Sequence, residues 1–410
     1  MKGMAATLKM NDVKVLVAHG GGHIDLAISR SLGRAGAYVI AGSPLGRGLA
    51  RHSSCVREVL PFSSFDPKVI CGEIRRFVRA GGATHLVVPE EALIVLLNEH
   101  RAELEERCTL LFPGEAAFSE CLHKDRTLAR AARLGVPVSR TMVIERWDGL
   151  EDCWDWNYPV VFKPAHRDPR YRDSDVREYL VEYANSFEEL RWKIVSRGFP
   201  SESTIVQEFA PGEGVGVEVL MRDGQAVLMF QHRRLREKPA TGGISVYCES
   251  MALSSVLEDH AVRLLRDMQW EGPAMVEFKV DPATQRVTLI EVNGRFWGSL
   301  PLALHAGVDF PAEYLRCTLD PAYRPERRPY PVGVRCRSLW HDAAALLETW
   351  RTGNRHRWPA TVGFLAAFSP SNRGYVWDWN DRGPAWSRFS GLLPRRPSSE
   401  GAWKGRKGAV

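Results

Sequence analysis

Two acids and an amide cluster around residue 284. Met275-Val276-Glu277-Phe278-Lys279-Val280 and Val287-Thr288-Leu289-Ile290-Glu291-Val292-Asn293 each read as a strand, and Asp281-Pro282-Ala283-Thr284-Gln285 between them reads as a turn. A hairpin centred on Thr284 sets Glu277 opposite Glu291, within one residue. Side chains alternate faces along a strand, so Glu291 and Asn293 point the same way. Two carboxylates and an amide oxygen on one face make a hard oxygen site suited to Mg²⁺, which completes its octahedron with water and phosphate oxygens. Arg295, two residues on, would bring a planar fork to the same phosphates. The plainer alternative is a solvent-facing polar strand on which Lys279 pairs one acid.

The elements that must carry this hairpin fall into three stretches. Residues 1–113 alternate strand and helix: strands over 13–18, 37–41, 85–88 and 109–112, with helices over 24–34, 67–79 and 91–106. That βαβ rhythm predicts a parallel sheet with helices on its faces. Residues 114–320 open with helices over 116–122 and 124–134, stopped by Gly135 and Pro137. Strands then dominate, over 141–144, 160–163, 177–183, 204–209, 215–221 and 226–232, the last two joined at Asp223-Gly224, a hairpin turn signal. A helix over 254–268 precedes the carboxylate hairpin. Residues 321–410 are rich in Arg, Pro and Trp with weak periodicity. Their six tryptophans from Trp340 to Trp386 imply packing against the body or a partner, and the end of the chain reads as a disordered tail.

The glycine turn Gly20-Gly21-Gly22 after the first strand invites a dinucleotide reading. The third glycine of that fingerprint is Asp25 here, and the second strand ends in Ala41-Gly42-Ser43 without an acid, so a nicotinamide cofactor is rejected. Composition excludes more. The net charge of +6 is concentrated in the last eighteen residues, where five cations face one acid; that leaves about +2 on the rest, too little to argue for nucleic acid. Eight dispersed cysteines without CxxC spacing give no zinc site and suit a reducing, cytoplasmic setting. No apolar run reaches membrane-spanning length. No Ser-His-Asp or Cys-His arrangement stands out for covalent catalysis.

Glu277 followed by Glu291-Val292-Asn293-Gly294-Arg295 resembles the signature of the ATP-grasp superfamily. The resemblance continues upstream in order: Lys124 opening a helix before Leu134-Gly135-Val136-Pro137, then Lys163 in Tyr158-Pro159-Val160-Val161-Phe162-Lys163-Pro164, then Val206-Gln207-Glu208-Phe209-Ala210-Pro211-Gly212-Glu213. It implies an N-terminal parallel-sheet domain (1–113) followed by a two-lobed ATP-grasp domain (114–320), with a lid over about 138–209 and a catalytic part over about 210–320. The fold class is α/β with α+β. It further implies ATP as co-substrate, with Lys124 and Lys163 on its phosphates, Gln207, Glu208, Phe209 and Ala210 at the adenine, and Glu213 at the ribose. Mg²⁺, or Mn²⁺ in its stead, would sit on Glu277, Glu291 and Asn293, with Arg295 on the phosphates or the acyl intermediate.

Two departures stand out. The usual P-G-E-E run has Gly214 in place of its second acid, and the segment that is Gly-rich in many members is here Arg-rich, over 165–173. In the cation run Gln231-His232-Arg233-Arg234-Leu235-Arg236-Glu237-Lys238, Arg236 is the candidate clamp for a substrate carboxylate or the γ-phosphate; a solvated charge run is the alternative. Trp297 is expected either beside it or in the core. The resemblance is to the carbamoyl-phosphate-synthase-like members assigned as carboxylate–amine ligases. Small-molecule carboxylate and amine substrates are the expected partners, in a monomer or homo-oligomer. The alternatives are bicarbonate or carbamate activation, and a nucleotide-binding protein without catalysis.

Overall fold

Val15, Leu16 and Val17 are apolar on both faces because their strand, Lys14–Val17, is the middle of a parallel sheet and sees no solvent on either side. The computed structural model describes residues 9–18, 21–145, 147–166, 181–196, 203–238, 243–352 and 357–390. The parallel sheet has five strands, in the spatial order Glu58–Phe62, Tyr38–Pro44, Lys14–Val17, His85–Val87, Thr109–Leu111. Helices His23–Arg34, Pro67–Arg79 and Glu91–Asn98 bury apolar stripes of Leu26, Ile28 and Leu32, of Ile70, Ile74 and Val78, and of Leu93, Ile94 and Leu97.

A four-stranded antiparallel sheet follows, in the order Thr141–Ile144, Thr204–Glu208, Val160–Pro164, Glu182–Ala184. It closes its own core, in which Phe162 and Val206 pack with Leu190 and Ile194 of helix Phe187–Ser196. Of the strand expected over 177–183, residues 177–180 lie outside the described residues. The Arg-rich segment does too, from 167 onward.

The largest sheet has seven strands, ordered Val287–Asn293, Gly272–Val280, Glu213–Arg222, Gln225–Lys238, Ile244–Met251, Arg335–Arg337, Arg373–Gly374. Its first long hairpin turns at Asp223 and Gly224, with φ of 50° and 68°, the left-handed pair a two-residue type I′ turn requires. The sheet does not stop at residue 320. Arg335–Arg337 pairs antiparallel with Tyr247–Glu249, and Arg373–Gly374 lies beyond it, so the C-terminal region is stitched into the central sheet. Helices Leu339–Arg351, Arg357–Ala366 and Gly383–Ser390 fill the crossings.

One buried ion pair ties this region back to the first helix. Arg30 Nε donates to Asp381 Oδ2 at 2.8 Å, and the two residues are 6 % and 3 % exposed. Trp297 proves to be a core residue, fully buried and edge-on to Phe310 at 5.0 Å. No helix among the described residues is long and apolar enough to cross a membrane.

Candidate active site

The carboxylate hairpin forms with the register its spacing predicts: Glu277 pairs directly with Glu291, and Met275 with Asn293. Glu277 is 8 % exposed on a strand hemmed in by its neighbours on both sides. Asn293 Nδ2 donates to Glu277 Oε1 at 2.9 Å and to Glu291 Oε1 at 3.3 Å, which holds the two acids and the amide in one cluster. Among the described residues no group of three or more His, Cys, Asp and Glu gathers as a metal site, at this hairpin or elsewhere.

Each acid carries its own cation. Lys124 Nζ lies 2.6 Å from Glu291 Oε2, and an Arg234 guanidinium nitrogen pairs with Glu277 Oε1. Lys124 is aimed from the first position of its helix. The preceding His123 stacks on His166 at 3.9 Å, and the Lys124 N–H donates to the Ala165 carbonyl at 3.0 Å. That seam brings the helix start against the end of the strand bearing Lys163, so the two lysines converge. Lys124 holds Glu291 far below the usual carboxylate range, while burial pushes Glu277 up against the pull of Arg234. The Lys124 ammonium is raised by Glu291 in turn. Lys163 behaves oppositely: burial, then the nearby Lys124, lowers it to about 8, and no carboxylate among the described residues pairs with it.

These groups line one cavity of about 880 Å³. Its other end is formed by Gln207, Glu208, Phe209 and Ala210, where the two antiparallel sheets meet. There the Gln207 amide donates to Thr141 Oγ1 at 2.9 Å, and Glu208 Oε1 accepts from the Asn157 backbone N–H and side chain at 3.1 and 3.2 Å. The N–H groups of Glu208 and Phe209 are already given to the carbonyls of Arg140 and Pro159. Phe209 stands 40 % exposed at the mouth, its ring 6.0 Å from that of Tyr183.

Two expected residues are not in this cavity. Glu213 is half-exposed and faces Arg233 at 3.6 Å, on the opposite side of its strand from Gly214. Arg236 corrects the sequence expectation more sharply. Its guanidinium is spent on Asp342, at 2.8 and 2.6 Å, and lies over the Tyr247 ring. The cause is a β-bulge: Arg234 pairs with Cys248 and Arg236 with Tyr247, so Leu235 is supernumerary and the alternation of faces breaks there. The cleft arginine of this strand is Arg234, which also donates to Glu237 at 3.0 Å. Burial works against its charge, but Glu277 and Glu237 together raise its pKa.

Gly214 now has a reason. A Cβ there would come 3.0 Å from Arg234 Cδ and 3.1 Å from Glu237 Oε1, so the second acid of the usual run would press on this arginine and require it to shift by a few tenths of an ångström. On the N-terminal side, the Gly21 and Gly22 amides donate to Asp25 at 2.7 and 2.8 Å, and Glu90 caps its helix by accepting from Leu93 N–H. His23 lines the cavity, and its Nε2 donates to the Gly298 carbonyl at 3.0 Å. Burial lowers its pKa to about 4. Arg295 reaches the cavity too, tethered to Glu91 at 3.0 Å.

Residues 200–339 match the family model described as ATP-grasp in the biosynthetic pathway with Ter operon. No curated protein matches the sequence. Among solved structures the chain is similar to N5-carboxyaminoimidazole synthetase from Staphylococcus aureus, with a TM-score of 0.62 and 14 % identity over 85 % of this chain and 88 % of that one. The fold is ATP-grasp. A preceding parallel-sheet domain accompanies it, as the sequence led one to expect. L-amino acid ligase from Bacillus licheniformis superposes with a TM-score of 0.58 at 15 % identity, over 75 % of this chain and 74 % of that one. The biotin carboxylase domain of 2-oxoglutarate carboxylase from Hydrogenobacter thermophilus, solved with MgADP, ADP and bicarbonate, gives 0.60 at 16 % identity, over 78 % and 73 %.

Sequence reasoning missed His341. This residue sits on helix Leu339–Arg351 and lines the same cavity, its ring centroid 6.1 Å from that of His23. Ser338 Oγ holds its Nδ1 at 2.7 Å. Nothing local in the Trp-rich C-terminal sequence marks it, because only the strand Arg335–Arg337 carries it to the cleft.

Proposed function

We propose that this chain is an MgATP-dependent ligase that phosphorylates a substrate carboxylate and passes the acyl group to an amine, releasing ADP and phosphate. The observation that carries the reading is the convergence of Glu277, Glu291 and Asn293 with Lys124, Lys163 and Arg234 in one cleft. The donor set fits Mg²⁺: two carboxylates and an amide oxygen after rotation of the Asn293 amide, all hard oxygens, with phosphate and water left to complete the shell. Bound there, the ion would neutralise phosphate charge.

The chain's own residues supply the rest. Lys163 and Lys124 would hold the polyphosphate, and the Gln207–Ala210 crossing would hold the base, read through carbonyls and the Ala210 amide since the two preceding N–H groups are spent. Arg234 and Arg295 would bind charge that builds on the transferring phosphoryl and the acyl phosphate oxygens. Formation of the acyl phosphate converts a carboxylate oxygen from a poor leaving group into phosphate. The amine then attacks the carbonyl carbon, phosphate departs with its electron pair, and the amine proton is lost to solvent. Positioning does most of the work. Tyr183 and Phe209 at the mouth would shield the base from water. An L-amino acid ligase and a bicarbonate-bound carboxylase domain share this fold at similar TM-scores, so bicarbonate activation stands beside this outcome as the second reading.

The test is ADP and phosphate release over paired panels of carboxylic acids and amines, with product masses recorded and bicarbonate as a separate arm. Glu291→Gln should lower turnover at least about a hundredfold while the protein stays folded. ADP release that needs bicarbonate and yields no amide selects the second reading. Unchanged turnover in Glu291→Gln refutes both.

A further inference from the structure

A second cavity, of about 360 Å³, lies in the C-terminal region between the start of helix Leu339–Arg351, the strand Arg373–Gly374 and helix Gly383–Ser390. Among the described residues no Asp or Glu lines it, but three arginines do: Arg337, Arg373 and Arg388. Its walls are aromatic, with Trp340, Phe368, Tyr375 and Trp377. The cavity opens to solvent past Phe368, which is 59 % exposed, but the polar atoms buried at its floor call for an explanation, because buried donors and acceptors are nearly always satisfied.

Two of those atoms lack a partner among the described residues. Arg337 is 5 % exposed, and its Nε is given to Asp342 at 2.6 Å, but its Nη2 has no hydrogen-bond acceptor. Asn372 donates through Nδ2 to the Ala367 carbonyl at 2.9 Å, while its buried Oδ1 accepts nothing. Arg388 is half-buried against Trp340, with its guanidinium carbon 5.9 Å from the ring centroid, and no acid among the described residues pairs with it. A buried guanidinium nitrogen without an acceptor, beside a half-buried arginine without an acid, is a standing cost, of the kind a protein carries when the missing acceptor arrives with a ligand.

We propose that this cavity is a binding site for a small carboxylic acid with a flat apolar body, its carboxylate on Arg388 and Arg337 Nη2, its apolar part between the aromatic walls, and a donor group on Asn372 Oδ1. The volume suits a molecule of about ten to fifteen heavy atoms. Arginine's fork matches a carboxylate, and the aromatic faces reward a planar body. The site is separate from the nucleotide cleft but adjoins it: consecutive residues Trp340 and His341 line the one and the other, and the Tyr375 ring lies 5.1 Å from that of His23. The proposal does not rest on the ligase reading.

The test uses the full-length protein without nucleotide and two matched probes, phenylacetate and its uncharged isostere phenylacetamide, titrated by calorimetry. Phenylacetate should bind at least about tenfold more tightly than phenylacetamide, the loss expected for one charge-assisted hydrogen bond. Arg388→Gln should abolish that preference and leave MgATP affinity unchanged, and Arg388→Lys should restore part of it. Equal affinity for the two probes, or a preference that survives Arg388→Gln, overturns the proposal. So does the absence of binding by both. The probe comparison on the unaltered protein needs no variant to fold.

Discussion

The buried pair of Arg30 and Asp381 sets a stability experiment whose size can be worked from its contacts. Asp381 accepts from Arg30 Nε at 2.8 Å, Ser53 Oγ at 2.6 Å and the Ser54 N–H at 2.8 Å, while Arg30 Nη2 donates to the Asp381 carbonyl at 2.8 Å. Asp381→Ala leaves a guanidinium buried without its counter-charge, and such one-sided removals cost about 3–5 kcal/mol. Arg30→Met strands the carboxylate, but Ser53 and Ser54 still solvate it, so about 2 kcal/mol is expected there. In the double variant neither charge is left alone, and the loss should fall short of the sum by about 2 kcal/mol. Urea unfolding of the four proteins reads this coupling directly. Burial raises Asp381, yet the hydrogen bonds from Ser53 and Arg30 outweigh it and hold the carboxyl below its usual range. A depressed carboxylate pKa contributes stability that is fully present above the unfolded pKa near 3.9 and lost as pH falls through the folded value. The gap between wild type and Asp381→Ala should therefore close on acidification below about pH 4. Additive losses within about 0.5 kcal/mol, or a gap independent of pH, would refute the pairing as an energetic link between the first helix and the C-terminal region.

Two further outcomes separate roles within the cleft. Arg234→Met should lower turnover by about two orders of magnitude and also cost about 3 kcal/mol, because it leaves the buried Glu277 without its arginine, whereas Arg236→Met should leave kcat nearly intact and cost only about 1 kcal/mol, since Arg337 still pairs with Asp342 at 2.6 Å. Steady-state rates and urea midpoints on both variants decide it, and the reverse pattern would restore Arg236 to the site. For Lys163, lowered to about 8 first by burial and then by Lys124, nucleotide affinity should fall as pH rises through that value, and Lys163→Arg should remove this alkaline limb. The stability sign is set likewise: between about 8 and 10.5 the unfolded chain holds this proton more tightly, so wild type should gain stability with pH across that window and Lys163→Met should not.

Legibility followed from how local the determining physics is. Glu277 and Glu291 could be paired from sequence because a short turn and a period of two fix register, and Asp223-Gly224 could be read because few residue pairs accept two left-handed conformations. Arg236 could not be separated from Arg234 by that same period. The two have equal parity, and the bulge at Leu235 that parts them is set by cross-strand pairing with Tyr247 and Cys248, on which the local run is silent. The strands Arg335–Arg337 and Arg373–Gly374 are three and two residues long, too short to show any period, so their place in the central sheet and the arrival of His341 in the cleft were invisible. The Ser338 hydroxyl that orients His341 is equally unmarked.

The pattern of charge in the cleft gives the proposed reading a physical economy. Without nucleotide, Lys124 rests on Glu291, Arg234 on Glu277 and Glu237, Lys279 near Glu237, and Arg295 on Glu91, so no acid of the hairpin is buried alone. Lys163 is the exception, and it meets the cost by losing part of its affinity for a proton. A polyphosphate arriving with a divalent cation asks for an exchange of partners, in which Lys124 and Arg234 turn to phosphate as the carboxylates turn to the cation. Such an exchange keeps the number of opposite-charge contacts nearly constant, so the carboxylates can be held in place beforehand without the penalty of isolated buried charge. A cluster kept only for stability would gain by replacing these pairs with apolar residues. Retaining so many ionisable groups in one cavity is rational where the charge they neutralise is one that comes and goes.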